Sequence, residues 1–333
     1  MAAQGEGVTN KMSQVHRESI IIDGLNASWF LSDGVMEWLH VGGVTAANAT
    51  LAAWHNPIET MDMISQMLQQ IDKHSDTAMR VRSVDDIHIA KATHKVGFIF
   101  GFQDTEPIAD KLHMLHIYHE LGVRIIQLTY NFENRVGFGC QAPEDKGLTE
   151  FGHDAVAQMN RLGILIDLSH CGPRTTLEAI ELSTQPVAIT HANAATQFPH
   201  PRNKSDEAIR ACAAKGGVIG ALSFPMMLTQ KLPATLDDYV DAIDYLVQLV
   251  GVDHVAIGPD FMEEMPLEVV QKVLGGLSPE VMERMKAIPP VQNFSTVAEM
   301  GNLTAVLLQR GYTEKEVQKI MGENWLRLYE QVW

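Results

Sequence analysis

The chain alternates short, continuously apolar runs with longer stretches in which apolar residues recur every three or four positions. Eight of the runs read as buried strands: 19–25, 43–50, 96–103, 123–130, 164–170, 187–191, 217–224 and 254–261. A strand apolar on both faces suits a parallel sheet covered by helices, whereas a half-solvated strand would alternate. Between the runs, Met61, Ile64, Met67, Leu68 and Ile71 line one face of a helix over 58–71. Further helices are expected over 109–121 up to a Gly122 C-cap, over 148–162 ahead of Gly163, and over 173–182 from Pro173. Two more follow, 206–215 behind a Ser205 N-cap and an amphipathic 236–250. The motif Tyr312-Thr-Glu-Lys-Glu-Val marks a capped helix near the C-terminus. Residues 131–147 show no period and form a loop long enough to shape a site.

Eight strands with helices in most gaps, over about 240 residues, predict an α/β fold of the (β/α)8 TIM-barrel kind. A doubly wound sheet would carry a glycine-rich phosphate turn after its first strand, and Asp23-Gly-Leu-Asn26 is not one. One domain over 1–333 is expected, with a polar lead-in at 1–18 and C-terminal helices over 295–333.

Composition narrows the function classes. A net charge of −16 argues against nucleic acid as a partner, since phosphate binding needs clustered Lys and Arg. No run approaches the length of a membrane span, and residues 1–18 lack the apolar segment of a signal peptide. The three cysteines, Cys140, Cys171 and Cys212, form no CxxC pair and suit a reducing compartment, so the cytoplasm is expected. The partner expected is a small-molecule substrate.

The strand ends of a barrel converge on one face, which here would gather Leu25, Asn26, Gln103, Tyr130, His170, His191 and Asp260. Two imidazoles from neighbouring strand ends, 21 positions apart, with a carboxylate can hold one divalent ion and leave a position open. Such an ion lowers the pKa of water toward ~7 and polarises a carbonyl. Asp260 could serve as general base, as third ligand, or only as a turn residue. Arg202, in the loop past His191, could clamp a carboxylate or pair with Asp206 or Glu207 in solvent. Asp104 and Glu106 could approach the mouth or belong to a solvated loop. Cys171 directly follows His170, and adjacent side chains at a strand end diverge, which disfavours a Cys–His pair. No G-x-S-x-G elbow is present.

The residues Asp23-Gly-x-Asn26, Glu120-Leu-Gly-Val-Arg-Ile-Ile-Gln-Leu-Thr129, Gly152 to His170, Thr190-His-Ala-Asn193, Pro201-Arg-Asn203, Ile257-Gly-Pro-Asp260 and Met321-Gly-Glu-Asn-Trp325 carry a resemblance. Over 21–329 the chain resembles the membrane (renal) dipeptidase family, peptidase M19, of the amidohydrolase superfamily. The resemblance implies a (β/α)8 barrel of the metal-dependent hydrolase type, a two-zinc site, dipeptide hydrolysis and a homodimer. It carries His170 and His191 over as ligands of one metal, Arg202 as the carboxylate-binding arginine and Asp260 as the catalytic aspartate. Elsewhere the chain departs from the family. The His-x-Asp metal pair on strand one is Leu25-Asn26-Ala27, the bridging glutamate is Gln103, and the substrate-polarising histidine is Tyr130.

A two-metal site is therefore not expected. The remaining set is one divalent ion, zinc or none, on His170 and His191 with Gln103, Asp260 or Glu106. Asp260 and Tyr130 are the candidate catalytic residues; Arg202, Tyr130 and Asn26 are the candidate substrate contacts. The first functional expectation is a dipeptidase-like hydrolase of a small amide or dipeptide carrying a carboxylate. Two alternatives stand beside it: acid–base chemistry on a small carboxylate metabolite without hydrolysis, and a catalytically inactive ligand-binding homologue.

Overall fold

In the computed structural model, residues 14–273 and 287–333, with 280 and 283, are described. Eight parallel strands follow one another around a nearly closed barrel. They are β1 (Ile22–Asn26), β2 (Ala46–Ala52), β4 (Val96–Phe102), β5 (Val123–Gln127), β6 (Leu165–Asp167), β7 (Ala188–Ile189), β8 (Val218–Ala221) and β9 (Val255–Ile257). A short β3 (Ala78–Arg80) pairs with β4 off this path. The circle closes where Ala27 N donates to Phe261 O at 2.8 Å and Asp260 N donates to Leu25 O at 3.2 Å. That seam puts Asp260, three residues past the last strand, beside the end of the first.

All eight expected strands are present, most of them shorter than their apolar runs. The two histidine strands shrink for a visible reason. The Thr190 N–H is taken by Asp167 Oδ1 at 2.9 Å and the His191 N–H by Ser169 Oγ at 3.0 Å, so side chains replace the ladder there. Helices over Pro173–Leu182 and Leu236–Val250 match their expected bounds, and Asp206–Ala214 follows its Ser205 cap. The 109–121 helix is corrected to Met114–Glu120, because a 3-10 turn at Glu106–Ile108 precedes it and Ala109 takes a positive φ of 47°. Helices over Asp33–Val41 and Val84–Thr93 were not expected; the second buries only Ile87 and Ala90, too few apolar positions to show a period.

Inside the barrel, each of the eight strands sends one side chain into a lower layer: Ile22, Ala46, Ile99, Ile125, Leu165, Ala188, Val218 and Ala256. The helix over Asn324–Val332 closes this end with Trp325, Leu328 and Tyr329. Trp325 is fully buried and its Nε1 donates to Ile257 O at 2.9 Å. A Cβ at position 24 would lie 2.5 Å from the Trp325 ring, so only glycine lets β1 pass there. The opposite end, at the strand C-termini, is left for chemistry.

Candidate functional site

His170 and His191 leave the ends of β6 and β7 and meet with their Nε2 atoms 3.0 Å apart. Each ring is held from behind through Nδ1. His170 Nδ1 lies 2.8 Å from Asn131 Oδ1. His191 Nδ1 lies 2.7 Å from Thr190 Oγ1, whose proton goes to Asp167 Oδ2 at 2.7 Å. Both contacts place the imidazole proton on Nδ1, leaving two Nε2 lone pairs facing each other. Two lone pairs at that range repel unless a cation or a shared proton lies between them. Burial, followed by the Arg202 cation, pushes both imidazoles well below the usual histidine range, which disfavours an added proton.

The arrangement suits an ion in part. Zinc–nitrogen bonds of about 2.0–2.1 Å set two tetrahedral ligands about 3.3–3.4 Å apart, a few tenths from the separation seen. The backing of each Nδ1 is the usual orientation of metal-binding histidines. Among the described residues, however, no group of three or more His, Cys, Asp or Glu could hold a metal. For a two-ion centre the residues do not fit: Leu25 is buried and apolar, and Ala27 offers no donor. Gln103 spends its Nε2 on Thr50 Oγ1 at 2.9 Å.

Tyr130 covers His170, its ring stacked on the imidazole at 4.1 Å between centroids. Trp54 braces Tyr130 edge-on at 5.7 Å, and its backbone N–H is fixed by Asp104 Oδ2 at 2.6 Å. Asp104 is thus no solvated loop residue; it is fully buried, and burial pushes its carboxyl up to about 7. Burial also drives the Tyr130 phenol far above its ordinary value, so it stays a neutral donor.

Beside Tyr130 opens a cavity of ≈ 60 Å³ at the mouth of β1, β2 and β4. Gln103, Tyr130 and Asp260 line it among mainly apolar neighbours. Asp260 holds a left-handed backbone, φ 65°, a conformation that Asp tolerates better than most residues. Burial raises its carboxyl to about 6 against the opposing pull of Arg202.

Arg202 is not a solvated loop residue. It is buried, and its Nη1 and Nη2 donate to Ser169 O at 2.5 Å and His191 O at 2.7 Å. Asn26 points into the barrel wall, its Nδ2 donating to Asp23 Oδ2 at 2.9 Å and its Oδ1 accepting from Ser28 N at 2.9 Å, and it stands outside the cavity lining. Of the expected residues, Tyr130 stacks on His170, which meets His191; Tyr130, Gln103 and Asp260 share the cavity, and His170, His191 and Arg202 stand outside its lining. The sequence reading missed Asp167, Thr190 and Asn131 as backing groups. An acid inside the apolar run Leu165-Ile-Asp167 was the available signal.

The family model described as membrane dipeptidase, peptidase family M19, matches residues 10–273. Dipeptidase tcpJ of Claviceps purpurea is 29% identical over 278 residues, covering 82% of this chain and 60% of its own length. An uncharacterised dipeptidase of Schizosaccharomyces pombe is 25% identical, with 82% and 62% covered, so this chain spans about 60% of the length of these curated relatives. Among solved structures, an amidohydrolase from Pseudomonas aeruginosa superposes with a TM-score of 0.91 at 37% identity, with 97% of this chain and 99% of that one covered. The probable dipeptidase PvdM of the same organism reaches 0.84 at 20% identity, with 98% of each chain covered, a likeness of fold.

Proposed function

The chain belongs to the membrane dipeptidase family, and on that premise we propose that it hydrolyses a small amide or dipeptide carrying a carboxylate, with at most one divalent metal ion, zinc. The observation that carries this reading is the pair of backed imidazoles with Nε2 atoms converging at 3.0 Å behind Tyr130, the ring that lines the cavity. His170 and His191 would hold the ion, which supplies Lewis acidity toward an amide carbonyl.

The protein's own groups do the rest. Asp260, with its carboxyl near 6, is mostly ionised at neutral pH and takes the proton of the attacking water. The same carboxyl, once protonated, lies close enough in pKa to neutrality to return that proton to the leaving amine. Tyr130 presents a neutral O–H to the cavity and shields the imidazoles from bulk water. Arg202 lowers Asp260 from the value that burial alone would impose, and keeps N–H groups beyond the two it spends on carbonyls for a substrate carboxylate. A cytoplasmic homodimer belongs to the same proposal.

The lack of a third metal-binding side chain among the described residues supports a second reading. In it Tyr130, His170, His191 and Asp260 are acid–base groups on a small carboxylate metabolite, and no ion is needed. Elemental analysis of protein purified without chelators, together with turnover of dipeptides and N-acyl amino acids, separates the two. One ion per chain and release of free amine are expected. Ion-free protein that stays inactive after added zinc, manganese or iron overturns the hydrolase reading.

A further inference from the structure

The wall of the cavity is unusual for a site that would receive a free dipeptide. Its β1 side is Ala27, its floor includes Leu51 and Ala52, and Met63, Met262 and Met265 come in from the surrounding helix and loop. Methionine packs adaptably around flexible hydrocarbon. Asp260 is the one acid on the described wall, and neither its carboxyl nor the Tyr130 hydroxyl draws a hydrogen bond from the described protein. An α-ammonium placed here would be desolvated among methyl and thioether groups, a costly burial unless it were paired. Its only anionic partner on that wall would be Asp260, the group that the hydrolase reading needs free for proton transfer.

We infer that the acyl half of the substrate is an uncharged hydrocarbon chain, so that the substrate class is N-acyl amino acids rather than free dipeptides. This rests on the hydrolase reading and specifies its substrate. The hydrocarbon lies in the methionine-lined cavity, and the amide lies toward Tyr130 and Asp260. The ≈ 60 Å³ of space corresponds to about four to six heavy atoms, taking roughly 10–15 Å³ for each water-sized occupant. Chains longer than about six carbons therefore gain nothing further.

The probes are ketomethylene analogues of acyl-alanines, in both configurations, in which CH2 replaces the scissile N–H and hydrolysis is blocked. Calorimetry with two-, four-, six- and eight-carbon chains is expected to show affinity rising about fourfold per methylene up to six carbons and then levelling. The α-amino derivative of the six-carbon analogue is expected to bind at least tenfold more weakly than its parent. Affinity flat within threefold across the series, or equal binding of the amine, overturns the inference.

The Met265→Glu variant, altered at a partly exposed wall position, should lose the gain in affinity from the two- to the six-carbon probe, and Met265→Leu should keep it. A folded Met265→Glu protein, checked by circular dichroism, with undiminished six-carbon affinity also refutes it. Turnover of N-hexanoyl-alanine is measured apart. Chain-length-dependent binding without turnover removes the hydrolase reading and leaves the pocket assignment. Turnover with no chain-length dependence does the reverse.

Discussion

Replacing Asp167 by Asn tests the chain of hydrogen bonds behind His191. The carboxylate accepts from Ser169 N at 3.0 Å, Ser169 Oγ at 2.6 Å, Thr190 N at 2.9 Å and Thr190 Oγ1 at 2.7 Å. An amide can keep the three bonds made to Oδ1 but must point its NH2 at Thr190 Oγ1. The threonine hydroxyl then turns to donate to His191 Nδ1, and the imidazole proton moves to Nε2. That proton aims at His170 Nε2, 3.0 Å away, closing an N–H···N bond where an ion would sit. Weaker neutral bonds to the amide, offset by the new imidazole bond, give a net loss of about 2 kcal/mol. At about 2.1 cal/mol/K per residue this lowers Tm by only about 3 °C. Metal affinity falls about 10–100-fold, the usual result of disturbing the groups behind a ligand. Long-range 15N NMR of the imidazoles reads the tautomer, with His191→Ala assigning the signal, and elemental analysis reads ions per chain. A folded Asp167→Asn protein whose His191 keeps its proton on Nδ1 and whose ion content is unchanged refutes the reasoning.

Lys204 is buried with Nζ 2.6 Å from Cys171 O, and burial lowers its ammonium to about 8 from an unfolded value near 10.5. The unfolded chain binds more protons between those values, so wild-type stability relative to Lys204→Met should rise by about 3 kcal/mol from pH 8 to 10.5, as urea titrations would show; a flat difference contradicts this. Asp260→Asn should cut turnover about 10²–10⁴-fold and abolish an acid limb in which wild-type activity falls as pH drops through about 6. An unchanged limb in the variant would move that titration to another group. Restoring the family's ligands with Leu25→His, Ala27→Asp and Gln103→Glu should raise the ion count toward two per chain. A folded triple variant that binds no additional ion would show that these positions do not share one centre.

The barrel was legible because its strands are buried on both faces and its helices are punctuated. Ser205, Pro173 and Gly163 mark element ends through local backbone chemistry, and the elements they flank match closely. The histidine strands were overextended because an apolar run does not reveal that Asp167 and Ser169 take the N–H groups of residues 190 and 191. Asp104 and Arg202 looked like loop residues for the same reason. Their partners, Trp54 N for one and two carbonyls for the other, lie 50, 33 and 11 positions away in the chain. The cavity could not be read at all, since Ala27, Met63 and Met265 meet only once the circle of strands has closed.

The tryptophan that stoppers the lower end of the barrel has a consequence for how the polypeptide is made. Residue 22 leaves the ribosome some 300 residues before residue 325 does, a delay of about 15–60 s at ordinary rates of synthesis. Throughout that interval the eight inward side chains lack the indole that completes their layer, however well the nascent strands pair. Ribosome-bound chains halted before residue 325 has emerged should be digested by proteases at sites that the finished protein hides.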